Sequence, residues 1–500
     1  PYSVPFRADG SFASGAPQLD GRNIGPNLLD AMNWNENYND QLKAVVGLTA
    51  TYKITDNIYA GGTVGIDFRE TQGTTYSDPR NVYARTSTAI RTRSGSISES
   101  LTRFFQFTNR GFIGYRNTFK QNHEIDVTVY GEYIHTASKS LSQQGFGIDP
   151  KRPNTPAATQ QGDAVNQLFA IVGGGKSQRK ISSAFATAKY SFKQKYTFNF
   201  TYRYDGVSIL NEDNRFNDFY AAGFIWDATK EKFLANNKWI NSLRARVSYG
   251  QSANSDNYPL GDFGYLPTYS QVSLNNGQAG IAVAGVGNPN ARWEYTNTLN
   301  AGIDFSILKD RVYGNIEWYN KETIDLFVSK TLSSTAGLGN GAAQELNAGK
   351  LRNRGFEYVI NYDVIKKRDL TWTLFANGAV NRNEVVDLAG VPSYERGTEL
   401  IKVGMPIGSY FDVRWAGVDA ATGQALYYDL NGKVTNQFSA GIRQQTFGTW
   451  QAPYSGGFGS RLRYKGFDFN ILFSWQNGAY RYNNLEFFME NPGFLTSGYN

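Results

Sequence analysis

The sequence predicts an all-β protein, a transmembrane antiparallel β-barrel with about fourteen strands in this chain. Three observations carry that expectation. Apolar and polar residues alternate with period two through segments of ten or more residues, the mark of a strand with one apolar and one polar face. The connections between these segments are alternately short and long, the layout of barrels with short periplasmic turns and longer extracellular loops. Aromatic residues abound, with 32 Tyr, 33 Phe and 9 Trp among 500 residues, as strands favour.

The elements follow in order. In LKAVVGLTATY, Leu42, Ala44, Val46, Leu48, Ala50 and Tyr52 share one face, with Lys43, Thr49 and Thr51 opposite. After the turn at Asp56-Asn57 the pattern resumes with Gly62, Val64, Ile66 and Phe68, making a hairpin. A second hairpin leads from Ile113 and Tyr115 through FKQNHE to Ile125, Val127, Val129 and Tyr133. A third leads from Ala186, Ala188, Tyr190 and Phe192 through KQK into YTFNFTYRYDG, residues 196–206. There Tyr196, Phe198, Phe200 and Tyr202 form an aromatic stripe expected to face lipid, and Arg203 and Asp205 are expected to point into a lumen.

The fourth pair joins Tyr220, Phe224 and Trp226 to Leu243, Ala245, Val247 and Tyr249 through a longer, partly helical link. The fifth runs from Leu299, Ala301, Ile303 and Phe305 across LKDR to Val312, Gly314, Ile316 and Trp318. The sixth joins Phe356, Tyr358, Ile360 and Tyr362 to Leu370, Trp372, Leu374 and Ala376, and the seventh crosses RYKG from Phe458 and Leu462 to Phe467–Trp475. Between pairs lie the stretches 71–98, 138–179, 252–290, 328–350 and 383–452, read as extracellular loops. A compact soluble domain rarely holds so many loops beyond about 15 residues, and its strands are usually about 5–6 residues long, against the roughly 9–11 that cross a bilayer. Tyr204, Trp318 and Trp372 suit the interfacial girdles.

Composition limits function. The mean hydropathy of −0.46 resembles a soluble chain, but a barrel strand is only half apolar, so this does not count against one. No apolar run reaches the length of a transmembrane helix. With no cysteine, disulfides and thiol chemistry are excluded. The net charge is +7, yet Lys and Arg are spread thinly, with no recognition motif, so nucleic-acid binding is not expected. Catalysis has no support either: the two histidines, His123 and His135, sit at a turn and near a strand end, and no nucleophile elbow, metal-spaced cluster or phosphate loop occurs. No cofactor or metal is expected; DLNG, 429–432, has the opening of a calcium loop but lacks the distal ligands, and reads as an Asx turn.

Beyond periodicity, YRYDGVS (202–208), FIWDATKEKFL (224–234), SLRARVSYGQSAN (242–254), NPNARWEYTNTLNAGIDF (288–305), YGNIEWYNKETIDLF (313–327), LRNRGFEYVINYD (351–363), NRNEVVDL (381–388), VGMPIGSYFDVRWAGVDAATGQALYYD (403–429) and YKGFDFNILFSWQNG (464–478) occur in this order. Together they resemble the SusC/RagA group of TonB-dependent outer-membrane transporters of Bacteroidetes. The resemblance implies a 22-stranded barrel filled by an N-terminal plug, energised through TonB, with a SusD-like lipoprotein closing the mouth as a lid. It implies import of glycans or peptides, and is compatible with a dimer of transporter–lid pairs in outer-membrane lipid and lipopolysaccharide. No plug-like domain, TonB-contacting segment or final aromatic-ended strand is legible here, so this chain is expected to be an interior barrel segment.

Bulky polar cargo would be recognised at the loop end, where rigid strands position variable loops. Candidates are Tyr249, Asn254, Asn257 and Tyr258 in SYGQSANSDNYP, then Tyr265, Tyr269 and Trp415, whose aromatic planes and amides suit sugars and peptides alike. Alternatively these residues only pack loops together or against the lid. Two other functions stay open: a siderophore or vitamin receptor with the same energy source, and a structural or adhesive outer-membrane β-protein.

Overall fold

Seven hairpins follow one another along the chain, and each finds its neighbours in sequence order. The computed structural model describes residues 9–10, 28–81, 84, 87, 89–149, 151–152, 155–234, 237–254, 260–273, 279–338, 342–444, 447–483 and 486. A short helix, Leu28–Trp34, leads into β1 (Asn35–Lys53). There follow β2 (Ile58–Ser77), β3 (Ser96–Phe119), β4 (His123–Phe146), β5 (Ile171–Phe192), β6 (Tyr196–Val207), β7 (Phe216–Asp227) and β8 (Ile240–Asn254). A small hairpin, β9 (Thr268–Ser273) and β10 (Ala279–Gly285), sits in the next loop. The main sheet resumes with β11 (Glu294–Ile307), β12 (Val312–Thr331), β13 (Ala343–Lys366) and β14 (Leu370–Leu388).

The longest connection carries seven short strands: β15 (Ser393–Arg396), β16 (Glu399–Lys402), β17 (Asp412–Val413), β18 (Trp415–Val418), β19 (Ala425–Tyr428), β20 (Val434–Thr435) and β21 (Arg443–Gln444). Then β22 (Tyr454–Tyr464) and β23 (Phe467–Asn477) close the series. The main sheet holds fourteen strands in the order β1 to β8, β11 to β14, β22, β23, with every described pairing antiparallel. This is an up-and-down meander with β1 and β23 at its edges.

Register carries one apolar face across the whole sheet. Val46 pairs with Ile66 and Ile66 with Phe107, while Val129 pairs with Ala186 and Ala186 with Tyr202. Phe200 stands between Ala188 and Ala222, Val247 pairs with Ala301, Trp318 with Phe356, and Phe458 with Phe473. These side chains remain largely uncovered, Phe200 at 50% and Leu48 at 72% exposed, because the wall is a single layer, as suits a sheet whose apolar face would meet lipid. Backbone groups in that environment have no water to bond, which is why each interior strand is paired along both sides.

The strands outrun the expected loop boundaries. β3 and β4 are 24 residues each, about 80 Å at roughly 3.3 Å per residue, far beyond a bilayer. The connections are 78–95, 147–170, 208–215, 255–293, 332–342 and 389–453, so the loops expected at 71–98, 138–179 and 328–350 are much shorter, that at 383–452 slightly shorter, and that at 252–290 keeps its length. Above the belt both faces turn polar, as where Gly73 pairs with Asn39 and Ser100, so alternation of hydrophobicity ends while strand pairing continues. Among the described residues, the link after β7 contains a single 3-10 turn, Ala228–Lys230.

What core there is lies at the long-loop end. Val207, Ile209, Leu210, Phe219, Ala291 and Trp293 cluster there, and Val328, Val385, Leu388 and Ile401 form a second group. Asp78 anchors the first loop: its carboxylate accepts from Arg80 Nε and Nη2, each at 2.8 Å, from the Arg80 amide and from Tyr76 Oη. Burial pushes the Asp78 carboxyl up, but the hydrogen bonds from Arg80 and Tyr76 outweigh it and hold it below its ordinary value.

Candidate functional site

The face opposite the apolar belt is polar and internally paired. Strand parity places Arg203 and Asp205 there together, with Arg203 Nε at 2.6 Å from Asp205 Oδ1. Register brings two partners from distant sequence: Arg203 Nη2 donates to Glu132 Oε1 at 2.7 Å and to Ser183 Oγ at 2.8 Å. The guanidinium also lies over the Phe185 ring, 4.5 Å from its centroid.

Phe185 belongs to a row across the wall. Phe112, Tyr130, Phe185 and Arg203 are directly opposed on four successive strands. Tyr130 stacks on Phe185 at 4.5 Å and an 8° interplanar angle, and Phe112 lies 5.7 Å from Tyr130. Tyr59 continues the row against Phe112 at 6.2 Å, and its hydroxyl bonds Asp126 and Thr128. Such cross-strand aromatic pairs contribute about 0.5–1.5 kcal/mol each beyond area. The row can lie flat because Gly114, paired with Tyr59, has no side chain: a Cβ there would stand 2.2 Å from Tyr59 Cζ.

Above Arg203 a cavity of about 330 Å³ opens among Ile134, Ile181, Asp205, Phe219 and Trp293. Trp293 meets Phe219 edge-on at 5.6 Å and donates Nε1–H to the Arg215 carbonyl at 2.9 Å. Further round the wall, Arg246 pairs with Asp304 and Glu317, and Asn353 accepts amide hydrogens from Asn381 and Asn383. The wall thus offers fixed charges, amides and ring faces, but no cluster of metal-ligating side chains occurs among the described residues.

Structure sorts the other sequence candidates unequally. Tyr196, Phe198, Phe200 and Tyr202 share the apolar face with Tyr220, Phe224 and Trp226; Tyr196 also donates its hydroxyl to Glu231. Tyr249 is corrected. It pairs with Ala222 and Leu299 and lies 6.1 Å from the Tyr220 ring, on the apolar face and away from the polar wall. Its parity with Ala245 and Val247 decides this. Asn254 ends β8 on the polar side and donates to Glu294 Oε1 at 3.5 Å. Asn257 and Tyr258 lie outside the described residues. Tyr265 is half-buried, Tyr269 stands 63% exposed on β9, and Trp415, 55% exposed on β18, meets Tyr427 edge-on at 5.6 Å. Trp415 belongs to a separate small sheet, β18-β19-β20, so these candidates do not form one constellation. DLNG is a turn: Asp429 Oδ1 accepts from the amides of Asn431 and Lys433 at 2.8 Å each.

The family profile described as TonB dependent receptor-like, beta-barrel matches residues 2–500. The chain belongs to that family. Membership places this receptor barrel in the outer membrane and accounts for the apolar belt. TonB-dependent receptor P39 of Formosa agariphila is 26% identical over 470 residues, which cover 83% of this chain and 43% of that relative. TonB-dependent receptor SusC of Bacteroides thetaiotaomicron is 29% identical over 396 residues, 75% of this chain and 38% of SusC. The fold matches that of the RagAB peptide importer in its closed-closed state with a TM-score of 0.85 and 21% identity, over 98% of this chain and 54% of that one. The chain spans less than half the length of these curated relatives.

Proposed function

We propose that this barrel belongs to an importer that carries a bulky nutrient, an oligosaccharide or a peptide, across the outer membrane with energy supplied through TonB. The observation that carries the reading is the polar wall, with its Arg203 charge network and flat aromatic row, set behind a lipid-facing belt in a receptor of this family. Ring faces beside amides and fixed charges give a sliding surface for a polar cargo without holding it by a single strong bond. The protein does no chemistry of its own. A SusD-like lipoprotein serves as lid over the mouth, where Asn254, Asn257, Tyr258, Tyr265, Tyr269 and Trp415 contact cargo or lid. A plug and further strands outside residues 1–500 complete the barrel and pass the TonB signal, and transporter–lid pairs assemble as dimers.

Uptake by cells carrying the complete protein tests this. Labelled oligosaccharide and peptide pools are offered with and without functional TonB, and the complex is purified to ask whether a surface lipoprotein accompanies it. Import of one pool that disappears without TonB is expected. Uptake unaffected by loss of TonB, or of the protein itself, would overturn the reading.

A further inference from the structure

Charge is distributed unequally between the two ends of the sheet. The short connections 54–57, 120–122, 193–195, 228–239, 308–311, 367–369 and 465–466 hold eleven Lys and Arg against four Asp and Glu, a formal +7. The six long connections hold thirteen against twelve, a formal +1 over far more residues. The longest basic run, Lys366-Lys367-Arg368, supplies only part of this excess, and the fold gathers the rest from separate turns.

We propose that this cationic collar, centred on the 228–239 link, binds the anionic phosphodiester headgroups of phospholipids in the periplasmic leaflet. The link folds toward lipid. Phe233 lies 6.5 Å from the ring of Trp226, and Trp226 pairs with Tyr196 on the apolar face. Phe233 and Trp239 are 69% and 70% exposed, an apolar side and an amphipathic ring at the depth where headgroups begin.

The one acid in the link is already satisfied. Glu231 accepts from Tyr196 Oη at 2.5 Å, from Lys195 Nζ at 3.1 Å and from Trp226 Nε1 at 3.4 Å. Lys232 and Lys238 have no acidic partner among the described residues. On neighbouring turns, Lys193 lies 5.2 Å above the Phe192 ring and Lys465 lies 5.4 Å above Tyr464. Both rings belong to the apolar face, since Phe192 pairs with Tyr196 and Tyr464 with Phe467. The ammonium groups are therefore held on the lipid side at the rim of the belt. Lysine above a ring at the rim offers a point charge to phosphate and an apolar base to the adjoining acyl chain.

Native mass spectrometry of the complete transporter tests this, with phosphatidylglycerol, phosphatidylcholine or inorganic phosphate added in turn. Preferential retention of phosphatidylglycerol is expected, falling at least about threefold in the Lys193→Gln/Lys232→Gln/Lys238→Gln variant. The matched Lys151→Gln/Lys402→Gln/Lys433→Gln variant at the loop end should retain it unchanged, and heat-modifiable gel migration verifies that both barrels are folded. Equal retention by both triple variants, equal retention of the two lipids, or displacement by inorganic phosphate would each overturn the assignment. Capture of an acidic protein at the collar in place of lipid would do the same.

Discussion

Substituting Phe200 with Arg tests the belt where the structure makes it most demanding. Phe200 lies four residues beyond Tyr196, where β6 leaves its short turn. At about 3.3 Å per residue that is about 13 Å along the strand, or about 9 Å of depth at a tilt near 45°. In a belt about 25 Å tall, Phe200 therefore lies within a few Å of the midplane. Its neighbours Ala188 and Ala222 are short and apolar, so an arginine there has no partner and little cover. Relative to Phe200→Ala, Phe200→Arg is expected to cost about 2–4 kcal/mol. Tyr204→Arg, about 19 Å deep by the same arithmetic and about 6 Å from the opposite interface, should cost less over Tyr204→Ala than Phe200→Arg does over Phe200→Ala. The assay is equilibrium urea unfolding of the complete protein in phospholipid vesicles. An Arg-over-Ala difference at Phe200 no larger than that at Tyr204 would refute the face assignment.

Three further outcomes follow from the same structure. Gly114→Ala places a methyl into the Tyr59 ring and should destabilise by about 1–3 kcal/mol in the same urea assay, whereas Gly111→Ala, with open space around its Cβ, should be near neutral. Arg203→Met leaves Glu132 and Asp205 without their shared cation; an expected loss of about 1–3 kcal/mol should be partly recovered on adding Glu132→Gln, a double-mutant cycle that detects their coupling. Asp78 has a folded-state pKa below its unfolded value, so its contribution is complete above about 4 and is lost as pH falls through the lower folded value. Protease resistance of the 78–95 loop should therefore decline at the acid end, and Asp78→Asn should remove that dependence.

Much of the wall was legible because a strand's faces alternate strictly. Counting parity from Leu42 to Trp475 found all seven hairpins and the residues that share the apolar face. Strand ends were not legible: around Gly73–Thr75 both faces are polar, and the signal stops although the ladder does not. The partners of Arg203 were hidden for another reason. Glu132 is 71 residues away, and only strand register, which one sequence does not reveal, sets it opposite. Tyr249 was misplaced against its own parity, because a tyrosine next to a long loop suggests a binding residue even on a lipid-facing strand. The flat aromatic row carries only a faint signal, glycines such as Gly114 in the middle of a strand.

The central claim is that adjacent residues of β6 face opposite media. The chain has no cysteine, so single cysteines at Phe198, Asn199, Phe200, Thr201 and Tyr202 can be introduced and spin-labelled without background. Collision rates measured by electron paramagnetic resonance in the reconstituted complete protein should alternate, with labels at Phe198, Phe200 and Tyr202 meeting oxygen from the bilayer. Labels at Asn199 and Thr201 should instead meet a water-soluble nickel chelate. Uniform accessibility along the five positions, or alternation of the opposite phase, would contradict the account.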